Sequence, residues 1–137
     1  MSARATPRMR SDGSSVLEIV VDSVPSAGST ARRHLDGLSE ILPASILHDL
    51  RTVVTELVDN SVLHGSGRPI AIVIEVMPDG MTRGSVSDGG QGPVEIAAPR
   101  EVRDSGLGLR IVDVLVSRWG VNPPSSDVWF ELPASWR

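Results

Sequence analysis

The run between Pro43 and Gly65 constrains this chain more than any other stretch. Proline suits a helix start, because its φ is preset and its missing N–H belongs among the unpaired donors of a first turn. Glycine suits a helix stop. Between the two, Ile46, Leu50, Val53, Val54, Leu57 and Val58 recur at intervals of three and four, the spacing of one helical face. The spacing predicts a helix from Ala44 to His64, about 30 Å long. A helix with such an apolar stripe requires another layer to cover it.

The remaining segments can supply that layer. Residues 16–24 are rich in β-branched side chains and read as a strand ended by Pro25. Residues 26–42 read as a first helix, with Ala31, Leu35, Leu38 and Leu42 at helical spacing. Two β-rich runs, 69–78 and 81–88, are joined through Asp79-Gly80, a hairpin signal. Residues 89–106 hold glycines and prolines without periodicity, and a loop of this length in a compact domain is commonly functional. Residues 107–120 resume helical spacing through Leu107, Ile111, Val114 and Leu115, and residues 127–133 alternate like a closing strand. The expected order is strand, helix, helix, strand, strand, loop, helix, strand. It predicts an α/β two-layer sandwich, with a mixed, mostly antiparallel sheet covered by helices on one face.

At 137 residues the chain has the length of one domain. The expectation is a frayed tail over residues 1–14, rich in Ser, Arg and Gly, and a single domain over 15–137. A formal charge of −4 argues against direct nucleic-acid binding, which needs a basic surface. No apolar run approaches the length of a membrane span, and the first residues lack the apolar core of a secretory signal. A cytoplasmic location is expected. With no cysteine, disulfides and thiolate metal sites are excluded. All 13 basic residues are arginine, so no mechanism here can use a lysine.

Three constellations carry chemistry. Glu56, Asn60 and His64 recur every fourth position on the predicted second helix, so they share a flank away from the apolar stripe. Such a row offers an acid for proton transfer and an amide oxygen for a hard cation such as Mg²⁺. It is equally the pattern of a solvated helix face. Asp88 stands at a predicted strand end and is followed by Gly90 and Gly92. A carboxylate there can accept from an exocyclic amine, and glycines let a flat ring approach the backbone. A glycine-rich turn capped by the aspartate explains the same letters. Gly106 and Gly108 lie at the first turn of the predicted third helix, where free amides and the helix dipole favour an anion. Helix–sheet packing alone would also select glycine there. Taken in order, the three supply a metal ligand, a base-reading acid and a phosphate cradle, which a nucleotide needs together. The segment between the second and third would act as a lid.

On these residues the chain resembles the GHKL (Bergerat-fold) ATPase superfamily, and within it the anti-sigma-factor serine kinases and small histidine-kinase-like ATPase domains of actinobacteria. The stretch ELVDNSVLHG matches the N box, DGGQG the first glycine box and SGLGLRIVDVLVSRWG the second, and VWFELP resembles the closing strand. The resemblance spans about residues 16–133. It implies an ATP-binding protein serine kinase that acts as an anti-sigma factor, with a sigma factor and a STAS-type anti-anti-sigma protein as partners. The alternative is a non-catalytic nucleotide- or protein-binding regulatory module. It further implies that Asn60 holds Mg²⁺, that Glu56 activates the attacking serine, and that Asp88 receives the adenine amine beside Gly90 and Gly92. The amides of Gly106, Leu107, Gly108 and Leu109 would hold the phosphates of ATP or ADP. His64 would be a phosphate-side or helix-end contact. Arg100, Arg103 or Arg110 would neutralise phosphate charge. A homodimer through the first helix is compatible with the resemblance. A detached sensor-kinase domain fits less well, because the chain has no helix pair carrying a phosphoacceptor histidine. Many relatives carry an adenine-binding threonine where this chain has Ser126, Asp127 and Val128. With Asp127 in that place, two carboxylates would oppose each other across the pocket. A one-residue shift would offer the Ser126 hydroxyl instead.

Overall fold

The computed structural model describes residues 5–89, 107–122 and 127–135. In chain order it contains β1 (Arg8–Met9), β2 (Ser15–Val21), α1 (Ala27–His34), α2 (Ala44–His64), β3 (Ile70–Val76), β4 (Thr82–Ser87), α3 (Leu107–Leu115), β5 (Arg118–Asn122) and β6 (Asp127–Leu132). A 3₁₀ turn, Leu35–Leu38, follows α1. The strands form one open sheet in the order β1-β2-β3-β4-β6-β5. Each neighbouring pair is antiparallel. Helices pack on one face, as the α/β two-layer reading requires.

Alternation along the strands builds that face. Leu17, Ile19 and Val21 of β2, Ile70, Ile72 and Ile74 of β3, and Val128, Phe130 and Leu132 of β6 all enter one core. From above, α2 inserts Ile46, Leu50, Val53, Val54, Leu57 and Val58, all at most 1% exposed. Each such side chain contributes roughly 1.5–3 kcal/mol of burial, so this stripe anchors the helix layer. Both α1 and α3 pack against α2. The other sheet face is polar: Arg10 pairs with Glu75, and Arg83 and Arg118 both pair with Glu131. No helix among the described residues is long and apolar enough to cross a membrane.

The helix from Ala44 to His64 has the bounds that Pro43 and Gly65 predict. The hairpin also forms, with Gly80 at φ +93° and the Asp79 carboxylate accepting the Met81 N–H at 2.9 Å. Four expectations change. The first helix ends at His34 instead of running to Leu42. Gly37 weakens an α-helix by about 1 kcal/mol, and a 3₁₀ turn serves the i,i+3 pair Leu35 and Leu38 equally well; both are fully buried. The helical reading of 107–120 stops at Leu115, and β5 follows. Pairing with β6 gives the β5 backbone its partners, a tertiary effect that outweighs the continuing helical spacing. Within α3 the buried face carries Val112, continued by Val116, whereas Ile111 and Val114 are exposed, Val114 by 78%. Finally, the segment read as a tail contains β1. Its Arg8 and Met9 pair with Val16 and Ser15. The intervening turn is held by the Asp12 carboxylate, which accepts from the Ser14 hydroxyl and N–H at 2.6 and 2.8 Å. These bonds hold the Asp12 carboxyl below its usual pKa.

Candidate functional site

The core stripe of α2 fixes where its polar row can go. Because Val53, Val54, Leu57 and Val58 are buried, Glu56 and Asn60 fall on the helix flank, where both are half-buried. His64, on the last residue of the helix, is exposed. Asp59 lies on a different flank, against α1. A β-carbon on Gly28 would come within 2.3 Å of its Oδ1, so the glycine is what lets the two helices close around that acid. Burial pushes the Asp59 carboxyl above its usual pKa.

Asp88 follows β4 directly and is 4% exposed. Its carboxylate is set against the end of α2. The Ser66 N–H donates to Asp88 Oδ2 at 3.0 Å, and the Ser66 hydroxyl donates to the Asp88 carbonyl at 2.9 Å. The same hydroxyl accepts the Arg68 N–H at 3.3 Å. The Arg68 guanidinium donates to the Gly89 carbonyl at 2.9 Å. Gly89, at φ +71°, turns the chain after the acid. Thus β4's end and the connection from α2 to β3 form one hydrogen-bonded corner, next to the last turn of the helix that carries Glu56 and Asn60. Sequence reasoning gives Gly65 only the role of helix stop and gives Ser66 and Arg68 none. The pairing of Ser66 with Asp88 spans 22 positions and that of Arg68 with Gly89 spans 21, and no local pattern signals either.

Leu107, Gly108 and Leu109 lie in the first turn of α3, which packs against α2. First-turn amides have no intrahelical acceptor and are available to an anion. Gly90, Gly92, Gly106, Arg100, Arg103 and Ser126 lie outside the described residues, as does the Arg110 side chain.

The opposed carboxylates considered above do not occur. Along β6 burial alternates, with Val128, Phe130 and Leu132 in the core and Asp127, Trp129 and Glu131 on the polar face. Val128 pairs with Val86, and both are buried. Asp127 therefore points through the sheet away from the helices, while Asp88 is buried against the end of α2. Period-two alternation separates them.

Among the described residues no three His, Cys, Asp or Glu side chains are gathered to hold a metal. A divalent ion at Asn60 would need phosphate and water oxygens for the rest of its shell. That is how magnesium is held beside nucleotides, so the donor set fits.

Residues 46–135 match the family described as histidine kinase-, DNA gyrase B-, and HSP90-like ATPase. A comparison with curated proteins found no match. Among solved structures the fold is similar to the RsbU and RsbW domains of Rv1364c from Mycobacterium tuberculosis, at 25% sequence identity and a TM-score of 0.62. The similarity covers 85% of this chain and 31% of that one, so this chain spans under a third of the length of the solved chain it matches. An antiparallel sheet with helices on one face, with its polar row on α2, its acid after β4 and a family match over most of the folded chain, makes this chain a member of the histidine kinase-, DNA gyrase B- and HSP90-like (GHKL) ATPase family.

Proposed function

We propose that this chain is a Mg-ATP-dependent protein serine kinase that acts as an anti-sigma factor in partner switching. Its partners would be a sigma factor and a STAS-type anti-anti-sigma protein. The observation that carries this reading is the Asp88 carboxylate, buried against the end of the helix that bears Glu56 and Asn60. The likeness to an RsbW-containing structure supports the kinase class.

In this reading Asp88 accepts the adenine amine, with Gly90 and Gly92 beside the ring. The amides of Gly106, Leu107, Gly108 and Leu109 bind phosphate oxygens. The Asn60 amide oxygen holds Mg²⁺ together with the phosphates; when bound, the ion neutralises charge on the transferring group. Glu56 takes the proton from the partner's serine hydroxyl as that oxygen bonds to the γ-phosphorus and ADP leaves. Such positioned proton transfer contributes about 10²–10⁴-fold. His64, exposed at the helix end, is left as a phosphate-side contact.

The test incubates the protein with Mg-ATP and a STAS-type protein from the same genome and follows phosphoserine. Glu56→Ala is expected to lower the rate about 100-fold or more while ADP still binds by calorimetry. Wild-type protein that binds ADP yet phosphorylates no such partner would sink the kinase and leave the non-catalytic regulatory module.

A further inference from the structure

The corner at Asp88 contains residues that the roles above leave unused. Gly65 has φ −88° and ψ −165°, an extended conformation open to any residue. Backbone freedom is therefore not why a glycine stands there. Space is: a β-carbon would lie 2.0 Å from Asp88 Oδ2 and 2.3 Å from the Ser61 carbonyl. The carbonyl belongs to the helix end, which accepts the Gly65 N–H at 2.8 Å and cannot move freely. The carboxylate thus occupies the position where any other residue would put its side chain. Ser66 then grips Asp88 twice, by its N–H on Oδ2 and its hydroxyl on the main-chain oxygen. Arg68 holds the next residue, Gly89, through its carbonyl.

We infer that Gly65 and Ser66 are positioning residues for base recognition. They fix the Asp88 carboxylate where it meets an exocyclic amine, so selectivity for an amino-purine is set from the α2–β3 connection. The inference rests on the reading of Asp88 as the base acceptor. A carboxylate accepts from the amine of adenine but opposes the carbonyl that hypoxanthine carries at the same ring position. Discrimination between ADP and inosine diphosphate (IDP) therefore reports where the carboxylate is. A merely structural role would weaken both ligands in parallel.

The experiment measures affinity for ADP and IDP by calorimetry in wild type, Gly65→Ala, Ser66→Ala, Ser66→Thr and Asp88→Ala. A hydrogen bond to a charged group corresponds to a wild-type preference for ADP of roughly ten- to hundredfold. Asp88→Ala should abolish that preference. Gly65→Ala should lower it towards the Asp88→Ala value, and Ser66→Ala should lower it about two- to tenfold, the scale of one neutral hydrogen bond. Ser66→Thr, which keeps the hydroxyl, should restore it. If Gly65→Ala does not fold, the Ser66 pair decides. A preference unchanged in Ser66→Ala overturns the inference. Wild type that binds ADP and IDP equally overturns it while leaving the nucleotide site intact. Wild type that binds neither overturns the proposed function as well.

Discussion

Single residues in this fold are chosen by what lies opposite them. Asp59 is the clearest case, because an acid on α2 is enclosed by α1 at Gly28. Burial raises its pKa above the ordinary aspartate value of 3.8. The protonated form is thus the one the folded state favours. Its contribution to stability is full below 3.8 and is lost as pH rises through the folded pKa. Asp59→Asn removes that titration. The variant is expected to be more stable than wild type at pH 7, by less than about 1 kcal/mol because the group is partly screened. The advantage should vanish below pH 3.8. Urea midpoints at the two pH values measure this, and an equal advantage at both would refute it. The sequence shows the acid beside Asn60, but not that a glycine 31 positions earlier closes over it.

At the scale of elements, cross-strand complementarity decides. Gly84 on β4 pairs with Phe130 on β6, and the ring covers the glycine. A β-carbon there would sit 2.3 Å from the ring's Cζ, and Phe130 is fully buried and cannot retreat. Gly84→Ala is expected to cost about 1–3 kcal/mol, the usual penalty for overpacking, read as a lower urea midpoint with unchanged m-value. A midpoint equal to wild type would contradict this packing. Elements whose period, start and stop signals agree were legible. The bounds of α2 follow from Pro43, Gly65 and the stripe between them, and the β3–β4 hairpin follows from Asp79-Gly80. β5 was not legible, because Leu115, Val116 and Trp119 continue a helical spacing. Only β6 alongside makes Arg118–Asn122 a strand, and the Trp119 indole N–H then reaches back to the Asp113 carboxylate at 2.9 Å.

For the whole molecule, the helix layer and the sheet meet at the corner where Asp88 is held, so ligand occupancy should be felt in global stability. A ligand that binds only the folded state at 100 times its dissociation constant adds about 2.7 kcal/mol. For a chain of 137 residues that corresponds to a rise in Tm of roughly 9 °C. ADP should produce such a rise in wild type, and Asp88→Ala should lose most of it; tryptophan fluorescence on heating measures both. An absent shift in wild type would remove the nucleotide from the account. The sequence alone determined the layers, because hydrophobic period is a local property: a stripe every three or four residues must become a helix that seeks cover, and alternation must become a two-faced strand. It also placed Glu56, Asn60 and His64 in one row, since helical geometry relates residues four apart wherever the helix lies. Only the tertiary structure decided which face Asp127 takes, that β5 exists, and that Ser66 and the space over Gly65 hold Asp88. Those facts depend on strand register and on chain segments that meet far apart in sequence, and no local pattern encodes such meetings.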